Sequence, residues 1–353
     1  MRNVLKHAAM GLAGLAMFAG AAFAQTINGG GATFPNPLYQ KWILEYKNTD
    51  SAVTINYASQ GSGFGIKGIT DKTLHFAGSD APLSKDEIAK LGGDTAVVQF
   101  PTCAGGVVPA YNLPGVSGEV KFTGEILADI YLGKINNWSD PKLAEINPGM
   151  NLPNLPITVA YRSDGSGTTN IFTNYLSVTS EEFAKEIGPG KQVKFPVGQG
   201  GKGSEGVTQI LQTTPGAIGY IEHNYAEMNK VTFGLVKNKA GEFVKASPDS
   251  IAKAAGAAAG KLTGQVLKAN LWNQDGAGVY PIAAFTYQIV YVDLNNLGSK
   301  AEAESLVKFL KWETTEGQKL AASLSYAPLA PAVQEKVASA IGLLNYKGEK
   351  IGQ

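Results

Sequence analysis

Hydrophobic and polar positions follow two different periods along most of this chain. Short extended runs, such as residues 53–57 and 217–221, are followed by stretches in which apolar residues recur every three or four positions. The first period is typical of β-strands and the second of amphipathic helices. Strands that alternate with helices predict an α/β protein. The 353 residues are enough for two domains of ordinary size.

Some helices can be placed from the pattern alone. Ser84 and Glu87 have the spacing of a capping box, which predicts a helix start. The segment around Trp138 is interpreted as surface packing. The apolar periodicity predicts further helices near residues 123–131, 251–260, 301–312, 316–324 and 333–341.

Two places are predicted to connect the domains. Residues 97–100 and 107–111 are extended and flank the segment 101–106, which predicts an interrupted strand pair that acts as a hinge. A strand within residues 280–292 predicts the second crossover. The first domain would then be discontinuous, with residues 25–103 plus 281–353, and the second would comprise residues 104–280.

The first 24 residues have the features of a signal peptide. Arg2 and Lys6 precede an apolar run at residues 8–22, and Ala-Phe-Ala at 22–24 is typical of a cleavage site. No second apolar run is long enough to span a bilayer. The cleavage region holds no cysteine that could carry a lipid. We therefore expect an exported, free periplasmic protein.

Composition excludes several classes of function. Without Arg2 and Lys6, 28 basic residues face 29 acidic ones, a net charge of −1, which disfavours a nucleic acid or an anionic membrane as partner. Cys103, the one cysteine of the sequence, has an apolar setting typical of a buried thiol. With His7 in the signal peptide, two histidines remain, a poor set for a zinc site. We expect neither a metal nor a cofactor.

Residues 161–169 carry the most informative chemistry. An extended run leads through a glycine-bearing turn into a helical pattern, so a helix start with free N–H groups is predicted there. Ser166 and Thr168 add hydroxyl donors, and Arg162 adds a planar guanidinium that Asp164 is near enough to orient. These groups suit an oxyanion. A capped turn with a merely structural Arg–Asp pair is the alternative.

Similar segments occur elsewhere in the chain. Residues 28–35, with Thr33, and residues 59–65, with Ser62, are glycine-rich turns before helical patterns, and such turns can form anion nests. Asp80 follows a short strand. The alternative for residues 28–35 is a flexible terminus, and for residues 59–65 it is a generic turn. The alternative for Asp80 is a turn aspartate. Residues 196–203 fail the phosphate-loop motif and are interpreted as a capping loop at the rim of a cleft.

Five ordered blocks resemble PstS-type phosphate-binding proteins, the periplasmic receptors of the high-affinity phosphate ABC transporter. The resemblance covers essentially the whole mature chain. It implies a two-lobed periplasmic binding protein fold of type II-like topology, with two hinge strands and a ligand cleft between the lobes. It also implies a monomeric receptor, not an enzyme, that delivers inorganic phosphate to a membrane permease. The blocks are GATFP at 31–35, GSG at 61–63, GSDAPLS at 78–84, RSDGSGT at 162–168 and GGKG at 200–203. 

The same resemblance implies a set of phosphate ligands. Phe34 and Gly167 would act through their backbone N–H groups, and Asp164 would hold Arg162. Phe64 stands where a small residue is expected, which affects the outer contour of its loop. The implied ligands are Thr33, Phe34, Ser62, Asp80, Arg162, Ser166, Gly167 and Thr168.

Other functions remain as alternatives at this point. Asp80 would repel sulfate or molybdate, which carry no proton near neutral pH, but arsenate keeps one and would be accepted. A phosphatase or serine hydrolase is disfavoured because neither Ser62 nor Ser166 lies in a G-x-S-x-G motif. The scarcity of histidine also removes the usual general base.

Overall fold

The computed structural model describes residues 25–352, and the predicted signal peptide, residues 1–24, lies outside the described residues. The strands are β1 Gln25–Gly31, β2 Val53–Ser59, β3 Phe76–Ser79, β4 Val97–Tyr111, β5 Lys121–Phe122, β6 Thr158–Arg162, β7 Gln199–Gly201, β8 Ala217–Glu222, β9 Thr232–Phe233, β10 Leu235–Lys237, β11 Phe243–Val244, β12 Ala283–Tyr291, β13 Asn345–Tyr346 and β14 Glu349–Lys350. The helices are α1 Asn36–Tyr46, α2 Ser62–Thr70, α3 Lys85–Lys90, α4 Gly124–Tyr131, α5 Pro141–Ile146, α6 Gly167–Thr179, α7 Glu181–Glu186, α8 Gly203–Thr213, α9 His223–Met228, α10 Pro248–Ala258, α11 Lys300–Glu313 and α12 Pro331–Ile341.

One large sheet organises these elements. Its strand order is β2-β1-β3-β12-β4-β8-β6-β7, and β9 also pairs with β4. β1 is parallel to β2 and β3, and β6 is parallel to β7 and β8. β12 is antiparallel to both of its neighbours, β3 and β4. The alternation of strands and helices predicted from the periodicity is confirmed.

The predicted interrupted strand pair is wrong, because β4 is continuous over 15 residues. Residues 97–106 pair with β12, and residues 107–111 pair with β8, so β4 joins the two parallel parts of the sheet. Pro101 interrupts only the register: Cys103 lies opposite Thr286, but Pro101 lies opposite Tyr287. A bulge at this point tolerates a proline, which has no N–H group to give to the ladder.

The prediction that Trp138 packs at the surface is also wrong. Its side chain is fully buried, and the rings of Tyr111 and Phe122 lie 5.6 and 6.3 Å from it. The indole Nε1 donates a hydrogen bond to the carbonyl oxygen of Gly216 at 2.9 Å. That bond removes the cost of burying a polar N–H group, which the local sequence does not reveal.

Predictions from short sequence motifs agree with the structure better than predictions that depend on contacts between distant segments. The capping box of Ser84 and Glu87 and a helix from Gly124 to Tyr131 are confirmed, and Cys103 is buried as predicted. The helical stretch predicted near 316–324 consists instead of two 3₁₀ segments, Glu316–Leu320 and Ala322–Leu324. Within residues 25–352, no helix has both the length and the apolar character needed to cross a bilayer.

Candidate functional site

The candidate residues lie at the carboxyl ends of parallel strands. Thr33, Ser62 and Asp80 follow β1, β2 and β3, whereas Arg162 ends β6 and is followed by the α6 start. In α/β sheets, ligands are bound at this edge because helix N-termini and strand ends meet there. The structure brings both groups of residues into one buried cluster through the hydrogen bonds described below.

The start of α6 is built as the sequence predicts. Ser166 is the N-cap, and its Oγ accepts a hydrogen bond from the backbone N–H of Thr169 at 3.1 Å. Ser166, Gly167 and Thr168 are all buried. The positive end of the helix dipole and its N–H groups therefore lie inside the protein.

Arg162 is held rigidly by Asp164. Its Nε and Nη2 donate to the two carboxylate oxygens of Asp164 at 2.8 and 2.6 Å, a bidentate geometry. Burial alone would raise the pKa of Asp164, but the hydrogen bonds and charge of Arg162 hold that pKa below its ordinary value. The remaining nitrogen, Nη1, donates to the hydroxyl oxygens of Thr168 and Ser204 at 3.2 and 3.3 Å.

Ser62 joins the α2 start to the α6 start. Its Oγ accepts hydrogen bonds from the backbone N–H groups of Asp80 and Gly167, at 3.2 and 3.1 Å. The same hydroxyl donates to Asp80 Oδ2 at 3.3 Å, and Thr286 donates to Asp80 Oδ1 at 2.8 Å. The polar groups of the first three strands thus meet those of β6.

Few groups stabilise the negative charge of the Asp80 carboxylate. The pKa of Asp80 is raised to about 7, mainly by burial and in part by the nearby Glu222, against the lowering effect of the hydrogen bond from Thr286. Arg162 and Ser62 lower it less. Near neutral pH both the acid and the carboxylate form of Asp80 are therefore populated, and the carboxylate can accept a hydrogen bond from a ligand O–H group.

The structure places Thr33 differently from the expected helix start. α1 begins at Asn36, three residues later, after the Pro35 N-cap. Thr33 Oγ1 lies 2.8 Å from Ser204 Oγ, and Tyr225 donates to the carbonyl oxygen of Thr33 at 3.0 Å. Thr33 therefore reaches the cluster through its side chain and a fixed backbone turn.

Phe34 and Phe64 occupy different surroundings. Tyr326 donates to the carbonyl oxygen of Phe34 at 2.6 Å, and the Phe34 ring is buried close to Gly105. Phe64, which departs from the expected small residue, is 38% exposed and lies against Gly30. Its bulk therefore points toward the surface of the loop that carries Ser62.

Three functional candidates were missed in the sequence. Ser204 follows the GGKG block in the first turn of α8, Glu222 ends β8, and Thr286 lies on β12. Ser204 had a usable signal, since it is a hydroxyl residue at a helix start. Glu222 follows a buried strand run, which also marks a carboxyl end. Thr286 is 206 residues from its partner Asp80, and no local pattern joins them.

The arrangement combines donors for an anion with acceptors for a proton. One guanidinium and several N–H and hydroxyl groups face the carboxyl groups of Asp80 and Glu222. Among residues 25–352, no group of three or more His, Cys, Asp or Glu is placed to hold a metal ion. A small oxyanion that still carries a proton fits this chemistry, because it can both accept and donate hydrogen bonds.

Comparison with known proteins defines the class of the protein. A family model described as a PBP superfamily domain matches residues 18–316. A solved structure of a high affinity periplasmic phosphate-binding protein (PfluDING), bound with phosphate, aligns with a TM-score of 0.68 at 23% identity, over 89% of this chain and 93% of that one. A phosphate-bound putative phosphate ABC transporter substrate-binding protein from Clostridium perfringens aligns with a TM-score of 0.63 at 20% identity, over 86% of this chain and 100% of that one. The fold is that of a two-lobed periplasmic binding protein.

Proteins related in sequence identify the family within this class. The phosphate-binding protein PstS of Pasteurella multocida is 41% identical over 89% of this chain and 89% of its own length. PstS of Xylella fastidiosa is 40% identical over 88% of this chain and 83% of its own length. The chain belongs to the PstS family of phosphate-binding proteins.

Proposed function

We propose that this protein is an exported receptor that binds inorganic phosphate in a closed cleft and delivers it to an ABC importer. One observation carries the proposal: a buried guanidinium, a capped helix start and a proton-exchanging carboxyl group meet in a single cluster. The relatives named phosphate-binding protein PstS support it.

The cleft is proposed to lie between two lobes. Residues 25–103 plus 281–353 would form one lobe, and residues 104–280 the other. The change of β4 partners from β12 to β8 within residues 106–107 supports a boundary close to this place. Rotation of two lobes about such connecting strands is a common way to enclose a ligand.

Phosphate would be gripped mainly by fixed dipoles. The proposed ligands supply N–H and hydroxyl groups from the starts of α2 and α6 and from the turn at Thr33. Arg162 would supply the positive charge. Asp164 takes up Nε and one N–H group of Nη2, so the anion would be met by the second Nη2 N–H group and by Nη1, whose hydrogen bonds to Thr168 and Ser204 would give way to it. The proposed ligands remain Thr33, Phe34, Ser62, Asp80, Arg162, Ser166, Gly167 and Thr168.

Asp80 is proposed to set specificity. Near neutral pH phosphate retains at least one proton and can donate it in a hydrogen bond to the Asp80 carboxylate. Sulfate has no such proton, and its oxygen lone pairs would face those of Asp80. A site built around a ligand O–H group rejects the analogue that lacks it by roughly 10⁴-fold or more. Arsenate keeps a proton and is expected to compete with phosphate.

Closure of the lobes is proposed to raise affinity by excluding water. Two contacts support this idea: Gly63 N–H donates to the carbonyl oxygen of Gly165 at 2.8 Å, and Tyr225 donates to that of Thr33 at 3.0 Å. Each contact joins residues of the two proposed lobes. Binding at about 1 μM requires about −8 kcal/mol, and a dry site strengthens every polar interaction that contributes to it.

We infer that the protein is a receptor and not an enzyme. Hydrolysis of a phosphate ester would need a nucleophile with an adjacent base. His223 is close to the carbonyl oxygen of Ser325 and to Glu227, and His75 accepts a hydrogen bond from Asn28 N–H. Ser62 and Ser166 therefore have no histidine partner within the described residues. Steady release of p-nitrophenol from its phosphate ester would contradict this inference.

The proposal also covers the cellular location of the protein and its partners. Residues 1–24 are proposed to be a cleaved signal peptide that directs the protein to the periplasm. The receptor is proposed to act as a monomer and to dock on the membrane permease of the importer. The solved structural neighbour described as periplasmic supports this location.

A thermal-shift measurement tests the proposed function. Because a ligand that binds only the folded state stabilises it by mass action, inorganic phosphate should raise the melting temperature of the purified, ligand-stripped protein. Sulfate at the same ionic strength should leave it unchanged. Equal shifts with both anions, or no shift with phosphate, would contradict the proposal.

A further inference from the structure

Glu222 is a buried carboxyl group in the cluster that the resemblance does not name as a ligand. It is 1% exposed and ends β8. Its Oε1 accepts a hydrogen bond from the hydroxyl of Thr168 at 2.6 Å. Its Oε2 is buried and has no hydrogen-bond partner among the described residues. A charged carboxylate in this position would leave one oxygen unsatisfied, which is costly.

The number of protons on Thr168 limits what this residue can do. A hydroxyl group has one proton to donate, and Thr168 gives it to Glu222. Arg162 Nη1 already donates to the same hydroxyl oxygen. In this arrangement Thr168 has no proton left for an anion. To donate to phosphate, its hydroxyl must turn away from Glu222, and Glu222 must then become the donor.

We propose that Glu222 is a positioning residue that takes up a proton when phosphate binds, so that its O–H group donates to Thr168 and Thr168 donates to phosphate. This inference rests on the proposed function. The proton comes from solution and is transferred to a carboxylate oxygen of Glu222, while no bond of the phosphate breaks. The proton would lie on Oε1, the oxygen 2.6 Å from the Thr168 hydroxyl, and the loss of the negative charge would also remove the cost of leaving Oε2 without a partner.

The surroundings of Glu222 favour this proton uptake. Asp80, Tyr225 and Tyr326 face it from β3, α9 and the segment before α12, and Arg162 is the cation that faces it. Burial raises the pKa of Glu222, and the charge of Arg162 and the hydroxyl groups of Thr168 and Ser204 oppose that rise. A phosphate anion would add a further negative charge and also engage Arg162. Both effects favour the neutral acid in the complex.

Isothermal titration calorimetry in buffers of different ionisation enthalpy measures the protons taken up per phosphate. We expect wild-type protein to take up more protons than the Glu222→Gln variant, by as much as about one, at a pH between the pKa of Glu222 in the free protein and its higher pKa in the complex. The amide N–H group can replace the acid as donor to Thr168. The variant should therefore bind phosphate within about threefold of wild type at a pH low enough to protonate Glu222 in the free protein, and relatively better as the pH rises, by up to about tenfold per pH unit.

Glu313→Gln is the matched control. Glu313 is also fully buried, burial also raises its pKa, and its Oε1 also lacks a partner among the described residues. Its other oxygen accepts from Gln288 at 3.1 Å, and Gln288 does not belong to the cluster around Arg162. Its replacement should leave proton uptake on phosphate binding unchanged.

A second pair of variants covers the case in which Glu222→Gln does not fold. Thr168→Val removes the hydroxyl that links Glu222 to the anion and should abolish the extra proton uptake, whereas Thr168→Ser should retain it. Equal proton uptake in wild type and Glu222→Gln over the whole pH range, or uptake that persists in Thr168→Val, would overturn the inference. If phosphate still binds tightly, either of these two results overturns only the role of Glu222 and leaves the proposed function intact. If wild-type protein does not bind phosphate, the proposed function itself is rejected.

Discussion

Asp80 shows most clearly how one side chain can decide what an anion site accepts. It is 2% exposed, and each of its oxygens accepts a hydrogen bond from a hydroxyl group, Thr286 or Ser62. A buried carboxylate weakens an anion site unless the anion brings its own proton. In the proposed site Asp80 would therefore cost some affinity for every anion and would penalise proton-free anions far more.

Replacement of Asp80 by Asn should reduce selectivity more than binding. The amide can donate a hydrogen bond to a sulfate oxygen, so we expect the ratio of phosphate to sulfate affinity to fall by about 10²-fold or more, with a smaller change in phosphate affinity. Titration of both anions by calorimetry gives the two affinities. Asp275→Asn, at a side chain that is 86% exposed, is the control, and an unchanged ratio in Asp80→Asn would reject the role of Asp80.

The raised pKa of Asp80 also predicts how stability depends on pH. Its pKa is about 7 in the folded protein, against an ordinary value of 3.8. Between these values the folded state binds more protons than the unfolded state, so Asp80 stabilises the fold at low pH and this contribution is lost as the pH rises from about 4 to about 7. The loss is at most on the order of 4 kcal/mol.

Chemical denaturation of phosphate-free protein at several pH values measures this contribution. Because Asn cannot titrate, the stability of Asp80→Asn relative to wild type should improve as the pH rises from about 4 to about 7. The difference between the two proteins isolates Asp80 from Glu222 and Glu313, whose pKa values burial also raises. A difference that is constant with pH would contradict the assignment.

At this scale the sequence reveals residues whose role is local. Ser166 and Arg162 could be identified because a helix start and an Arg-x-Asp pair are visible within a few positions. Glu222 and Thr286 could not, because their significance depends on Thr168 and Asp80, which lie 54 and 206 residues away. Hydrogen bonds between distant segments follow from the packing of the strands and leave no periodic trace.

At the scale of elements, the start of α6 combines a structural role with the proposed binding role. Ser166 Oγ caps the helix by accepting from Thr169 N–H. The same helix end directs its N–H groups into the cluster. A change at the cap therefore alters both the stability of the helix end and the geometry that an anion would meet.

Ser166→Ala should destabilise the protein by about 1 kcal/mol and weaken phosphate binding by about tenfold or more. Ser299→Ala is the matched control, because Ser299 also caps a helix by accepting from a backbone N–H group, that of Glu302, but belongs to no part of the proposed site. It should cost similar stability without loss of affinity. Equal affinity losses in the two variants would show that only general destabilisation is measured.

Helices and strands were predicted well where a short sequence motif defines them. They were predicted poorly where pairing with a distant strand defines them. The capping box located α3, the apolar periodicity located α4, and the glycine-bearing turn before a helical pattern located α6. The continuity of β4 could not be inferred, because Pro101 and the following glycines suggest a break, while the bulge opposite Thr286 and Tyr287 accommodates the proline. The burial of Trp138 likewise depends on Gly216, a backbone acceptor 78 residues away.

At the scale of the whole molecule, glycines permit a close approach of the two proposed lobes beside Asp164. Gly61 has a φ of +96°, and a Cβ atom there would lie 2.2 Å from Asp164 Oδ2 and 3.0 Å from the carbonyl oxygen of Gly165. Asp164 in turn orients Arg162. A methyl group at Gly61 therefore acts on the guanidinium through its partner.

Gly61→Ala should weaken phosphate binding by about tenfold or more, because Asp164 must move and Arg162 moves with it. Gly93→Ala controls for backbone strain, since Gly93 has a φ of +100° and no atom within 4 Å of its Cβ position. Both variants should lose about 1 kcal/mol or more of stability, but the Gly93 variant should keep its phosphate affinity. Calorimetric affinities that fall equally in both would contradict the proposed closure.

The central claim is that a proton-bearing oxyanion is enclosed between the lobes and distinguished from one without a proton. The most direct measurement is a calorimetric titration of ligand-stripped wild-type protein with phosphate and, separately, with sulfate near neutral pH. We predict a single phosphate site with a Kd of about 1 μM or tighter and sulfate binding at least about 10⁴-fold weaker. Comparable affinities for the two anions, or no heat of binding with phosphate, would contradict the account.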